Sequence, residues 1–232
     1  MSSAISLADI PARCGCREGA KKAYEAVMNG EEATVERSEK FTAYMLRFVA
    51  KEYAKRNMTM QLHFSAIRNN NTKRFAAIGA DCGIDSVGKI INIEAFAKFL
   101  DDLEKEDLLP KTIVYTLNRA QYYELATMIG NFWGGVPGKL QMGSAWWFCD
   151  HLGGIKEQLE LSCETGVLGY FNGMLTDSRS FTSYARHDFF RRILCNYMAE
   201  FILSGQYDAE TETMGNIVSD ICIRNARRFF KA

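Results

Sequence analysis

Net charge, long apolar runs and internal linkers are all missing from this chain, and each absence removes a class of function. Twenty-eight basic residues balance 28 acidic ones, so no long-range field favours nucleic acid or an anionic membrane. No run of 18 apolar residues is present, which leaves no sequence signal for a spanning helix. The opening MSSAISLADIPARCGC has neither the basic lead nor the compact apolar core of a signal peptide. The expectation is a soluble, cytoplasmic protein with no nucleic acid and no membrane among its partners. Any binding must come from a local site.

Prolines number only three, at positions 11, 110 and 137, and no Gly/Ser linker or low-complexity tract separates domains. Residues 1–232 therefore read as one unit. The cysteines are seven, an odd number, and several sit in apolar surroundings, as Cys149, Cys195 and Cys222 do. Buried free thiols in a reducing compartment explain that better than a disulfide framework. Cys14 and Cys16 form a C-x-C, but no second Cys or His pair lies at zinc-ribbon spacing.

What is present is alternation. Four short segments look like buried parallel strands: MTMQLHFSAI (58–67), KTIVYTL (111–117), KLQMGSAWWF (139–148) and VLGYFNGML (167–175). Helical patterns lie between and after them. Ile93–Glu104 puts Phe96, Phe99, Leu100 and Leu103 on one face, and the stretch from Phe181 to Leu203 stacks Phe190, Ile193, Leu194, Tyr197 and Met198 at steps of three and four. Further helices are expected at about 39–55, 118–129, 154–162 and 212–230. The layout is a helical lead-in over 1–57, four βα units over 58–204, and a C-terminal helix within 205–232. Such a pattern means either an open doubly wound sheet or a (β/α) barrel. A complete eightfold barrel takes about 250 residues, so four units cannot close one alone.

Both architectures gather ligands at the carboxyl ends of their strands. After the first strand come His63 and the run Arg68 to Asn71; after the second, Asn118 and Arg119; after the third, Trp146, Trp147 and Asp150; after the fourth, Asp177, Ser178 and Arg179. Asp177 and Arg179 are two apart, so strand alternation sends both towards the mouth. There the carboxylate holds a metal or takes a proton and the guanidinium clamps an anion, or else the pair merely caps and bridges. His63 is either a core histidine or a ligand. The dense run at 68–71 either caps helices, binds an oxygen-rich ligand, or is a solvated loop. Trp146 and Trp147 are core, or one of the two rings floors a sugar site. The Gly-rich stretch GNFWGGVPGKL (130–140) fails as a phosphate loop: Trp133 replaces the first Gly, Leu140 the Ser or Thr, and a strand follows. SYARHDFFRR (183–192) has a basic face that reads as solvated, with Arg186 and His187 close enough to the helix start to reach the mouth.

Three of these stretches, MQLHFSAIRNNNTKRF, GKLQMGSAWWF and GMLTDSRSFTSYARHDFFRRILCN, resemble the corresponding segments of uronate isomerase (glucuronate isomerase) in the amidohydrolase superfamily. The resemblance implies a distorted TIM-like (β/α)8 barrel that interconverts D-glucuronate with D-fructuronate and D-galacturonate with D-tagaturonate. It implies an α/β fold corresponding to the C-terminal half, (β/α)5–8, with extra flanking helices. It places Asp177 at the metal site after the eighth strand and Arg179 beside it, both catalytic. It puts His63 and Arg68 after the fifth strand and Trp146 or Trp147 after the seventh, as substrate-binding residues together with Arg186; His63 is also a possible metal ligand.

The family takes its main ligands for a divalent metal, zinc, from a His-x-His after the first strand. This sequence has only His63, His151 and His187. Three readings follow: a fragment inactive alone, a half-barrel completed by an N-terminal half or by another copy in a homo-oligomer, or a non-catalytic protein holding a hexuronate through Arg68 and Arg179. The bare edges of an open half-barrel favour the fragment.

Overall fold

The computed structural model describes residues 2–7, 9–11, 15–175, 178, 180–207 and 210–230. In chain order its elements are β1 (Ser2–Ser6), α1 (Arg17–Met28), α2 (Val35–Lys55), β2 (Thr59–Phe64), β3 (Ala66–Ile67), α3 (Thr72–Ile78), β4 (Ser86–Val87) and α4 (Ile93–Glu104). There follow β5 (Thr112–Thr116), α5 (Tyr122–Ile129), β6 (Leu140–Met142), α6 (Leu152–Thr165), α7 (Ala185–Leu203) and α8 (Thr211–Ser219), then a π turn (Asp220–Arg224) that leads into α9 (Asn225–Phe230).

Strands β1, β2, β5 and β6 form one sheet in that order, every pair parallel. Spatial order equal to chain order, without reversal, is the winding of a barrel rather than of a doubly wound sheet. The helices obey the same logic. Met60, Leu62 and Phe64 of β2, Val114 of β5 and Met142 of β6 share one core with Leu46 of α2, Phe96, Phe99 and Leu103 of α4, and Leu125 of α5. That leaves Gln61, His63, Ile113, Tyr115 and Leu117 on the opposite, inner face. Burying each large side chain on the helix side contributes roughly 1.5–3 kcal/mol.

Side-chain caps start most of these helices. Thr34 accepts from the Arg37 N–H, Asn71 from Arg74 and Asn92 from Ala95. Cys16 Sγ accepts from Gly19 N and His151 Nδ1 from Gly154 N, which gives both residues structural work. Cys14 lies outside the described residues, and of the thiols expected to be buried Cys149 is, Cys222 partly is and Cys195 on α7 is exposed. At the amino end of β5, buried Lys111 donates to the Phe229 carbonyl at 2.5 Å. Phe229 in turn packs with Ile113 and Tyr115, so α9 floors the inner face. Burial pushes the Lys111 ammonium below its ordinary value.

The sequence reading needs three corrections. The expected helical lead-in contains a strand, because Ser2–Ser6 pairs residue for residue with Thr59–His63. SSAIS offers almost no apolar pattern, and a ladder made by backbone groups needs none. The stretch 139–148 is strand only over Leu140–Met142, and Trp147 sits at φ 48 at the start of a 3₁₀ turn, so the two tryptophans are not strand neighbours. A Cβ at Gly143 would lie 2.0 Å from the Tyr115 ring, so the ring packs where any side chain at Gly143 would go. Finally, the described residues of 167–175 form no strand: Leu168–Tyr170 is a 3₁₀ turn and Gly173 has φ 73. That left-handed φ breaks an extended ladder and suits glycine.

Candidate functional site

A continuous aromatic path runs along the inner face to the carboxyl end of the sheet. The register places His63 beside Tyr115, and their rings stack 4.4 Å apart at 4°. Trp146 meets His63 edge-on at 4.6 Å, Trp147 follows Trp146 at 5.7 Å, and Phe148 stacks on Trp147 at 4.8 Å. The Tyr115 hydroxyl donates to Gln61 Oε1 at 2.9 Å. His63 is 9% and Trp146 5% exposed, whereas Trp147 is half-buried. Of the two tryptophans, one is core and one reaches the surface.

Arg68 completes the path. Its guanidinium carbon lies 4.6 Å over the Trp147 ring, and Nη1 donates to Asp85 Oδ2 at 3.0 Å. The Asp85 side chain is only 6% exposed while Arg68 is 46% exposed, so an enclosed carboxylate aims a half-exposed cation. A guanidinium fixed over an indole keeps N–H groups available for an anion. The three asparagines beyond it are accounted for locally. The Asn69 N–H donates to Asp85, Asn70 Nδ2 donates to the Ile67 carbonyl and Ser86 Oγ across the β3–β4 hairpin, and Asn71 caps α3.

Other strand-end residues stand apart from this path. Arg186 Nε donates to Asp150 Oδ2 at 2.8 Å and its Nη2 to the Asp150 carbonyl, while its guanidinium covers Phe189 at 5.0 Å. Asn118 donates to the Gly88 carbonyl and caps the following 3₁₀ turn, and Arg119 pairs with Glu157. Asp177 and Arg179 lie outside the described residues. Between them, Ser178 Oγ accepts from the Ser180 N–H at 3.2 Å.

No group of three or more His, Cys, Asp or Glu that could hold a metal stands among the described residues. Burial raises both the Cys149 thiol and the Tyr122 phenol above their usual values, so neither is a ready nucleophile or base. No described helix is long and apolar enough to cross a membrane.

Sequence reasoning missed Tyr115, Asp85 and Gln61. Tyr115 was within reach, since residues two apart in KTIVYTL share a face. Asp85 was not, because its role depends on a hairpin that brings Ser86 opposite Ile67.

The glucuronate isomerase family model matches residues 2–230. The uronate isomerase of Clostridium perfringens is 49% identical over 205 residues, covering 88% of this chain and 44% of that protein. The uronate isomerase of Brachyspira hyodysenteriae is 42% identical over 231 residues, covering 99% and 49%. Among solved structures, uronate isomerase from Thermotoga maritima superposes with a TM-score of 0.89 at 24% identity, over 99% of this chain and 49% of that one. Glucuronate isomerase from Caulobacter crescentus gives 0.84 at 26%, over 97% and 46%. The chain spans about half the length of the relatives it matches, and its α/β fold is the C-terminal part of their barrel, with β1 ahead of the three expected strands that form. By sequence and by fold, the chain belongs to the glucuronate isomerase family.

Proposed function

We propose that this chain supplies the C-terminal strand-end residues of a uronate isomerase. The reaction is aldose–ketose isomerisation of D-glucuronate to D-fructuronate and of D-galacturonate to D-tagaturonate, and it requires the other half of the barrel for turnover. The observation that carries the reading is the family match over residues 2–230. The half-length coverage of every relative compared supports the requirement for further sequence.

Moving a carbonyl between C1 and C2 calls for a base that shuttles a proton through an enediol, donors that stabilise the enediolate, and an anchor for the C6 carboxylate. Asp177 fits the proton shuttle and Arg179 the enediolate. Arg68, oriented by Asp85 over Trp147, fits the carboxylate anchor. The half-buried Trp147, set between Arg68 and Phe148, borders the place for the sugar ring, and His63 with Trp146 shapes the inner wall. Arg186, committed to Asp150, ties the start of α7 to the loop that follows the tryptophans. A divalent ion would need ligands beyond the described residues, which do not by themselves make a metal site.

The test is to incubate the purified chain with each uronate, alone and mixed with the His-x-His half of a relative, following ketose formation by NMR. Conversion in the mixture, absent from the chain alone and lost in Asp177→Asn, is the expected result. A mixture that forms a complex yet converts nothing overturns it, and uronate binding without conversion would identify a non-catalytic binder.

A further inference from the structure

The segment 169–175 runs beside β6, yet side chains, not a strand ladder, hold its backbone. The Asn172 N–H donates to Gln141 Oε1 at 3.0 Å and the Leu175 N–H to Ser144 Oγ at 3.2 Å. From the C-terminal helix, Asn225 Nδ2 donates to the Gly169 and Phe171 carbonyls at 2.8 and 2.9 Å. Two of the three holders are themselves fixed. Gln141 Nε2 donates to the Gly138 carbonyl at 3.0 Å, and Asn225 Oδ1 accepts from Arg228, which also reaches Asp220. Ser144 and Asn225 are 5% and 3% exposed, so water is a poor substitute for either.

Four backbone groups of one short segment are thus satisfied by three side chains of fixed length. In a ladder, any residue keeps the register, because backbone pairs with backbone. Here a slip of one residue would carry the Asn172 and Leu175 N–H groups away from their acceptors, and buried donors left unpaired are costly. Leu175 stands two positions ahead of Asp177 and four ahead of Arg179 in sequence.

Resting on the isomerase reading, we propose that Gln141, Ser144 and Asn225 are positioning residues. They act by setting the register of segment 169–175, which Asp177 and Arg179 follow in sequence.

Amide hydrogen exchange in this chain tests the register, and uronate turnover in the completed mixture tests its consequence. Gln141→Leu removes the acceptor; exchange at Asn172 should rise about tenfold, and kcat should fall by a similar factor with KM little changed. Gln141→Glu keeps an acceptor for the Asn172 N–H but gives up the donor to the Gly138 carbonyl, so it should recover part of each loss. Ser144→Ala repeats the test at Leu175 should Gln141→Leu fail to fold. Unchanged exchange at Asn172 and Leu175, or a Glu variant as impaired as the Leu variant, overturns the proposal. If the wild-type mixture converts no uronate while the exchange pattern holds, the functional reading fails and the positioning stands.

Discussion

Strands β2 and β5 at the centre of the sheet and the segment 169–175 beside β6 are held by opposite means. In β2 and β5 the backbone groups pair with each other from Met60↔Thr112 to Phe64↔Thr116. Side chains on the helix side are then free to be apolar, and those on the inner face free to be Gln61, His63 and Tyr115. In 169–175 the relation is inverted: side chains from β6, the loop after it and α9 hold the backbone, while Phe171 and Met174 anchor in the core beside Phe190 and Leu194 of α7. A ladder tolerates variation in the residues it carries. A side-chain clamp makes particular residues indispensable.

The largest effect should come from breaking the ladder region's burial. Phe64 is fully buried and meets Phe96 edge-on at 5.4 Å, so Phe64→Ala should cost about 3–5 kcal/mol in urea unfolding. A loss below about 1 kcal/mol would mean that this core does not carry the sheet. Next comes the segment's tightest contact. Gly173 (φ 73) would place a Cβ 2.3 Å from the Ile221 carbonyl in the π turn, whereas Gly205 (φ 72) would meet nothing within 4 Å. Backbone strain is common to both, at about 1 kcal/mol. Gly173→Ala should therefore cost about 2 kcal/mol or more and Gly205→Ala only the strain. Equal losses in thermal unfolding would remove the close approach of the C-terminal helix from the account.

The same contrast explains what could be read from sequence. MTMQLHF and KTIVYTL announce themselves because buried parallel strands need continuous apolar residues, and α4 matched its expected bounds because Phe96, Phe99, Leu100 and Leu103 recur at helical spacing. VLGYFNGML has the same apolar density but is not strand. Gly169 and Gly173 allow turns, and the partners of its backbone are Gln141, Ser144 and Asn225, which lie 31 or more positions away. The site divided likewise. The positions of His63, Arg68 and Trp147 at or beyond strand ends were legible. Asp85, which aims Arg68, was not, since it approaches only when β4 folds back on β3.

A smaller change probes the inner face. Tyr115→Phe removes the hydroxyl that donates to Gln61 but keeps the ring stacked on His63. Because Gln61 is only partly buried, its carbonyl can turn to water, and the cost should be about 1 kcal/mol. Tyr115→Leu, which also abolishes the stack, should cost more. If the two cost the same, the hydroxyl and not the ring orders His63.

The smallest effect is expected where polar contacts lie at the surface, and it calibrates the clamp. Asp102 of α4 accepts from Arg47 of α2 at 2.9 Å, which joins the two helices, and from Lys98 of its own helix at 3.2 Å, with its side chain 24% exposed. Burial opposes ionisation of Asp102, but the hydrogen bonds from Arg47 and Lys98 outweigh it and hold the carboxyl below its ordinary value of 3.8. A carboxyl depressed on folding contributes stability that is fully present above the unfolded value and is lost as pH falls through the folded one. Asp102→Asn should thus cost at most about 1 kcal/mol at neutral pH, and the gap from wild type should close as the pH drops below 3.8. The hydrogen bonds to Asn172 and Leu175 involve no titrating group, so the cost of Gln141→Leu should persist through the same acid range. A cost that fades in parallel with that of Asp102→Asn would mean that the segment is held by charge, and the contrast between clamp and ladder would need another physical basis.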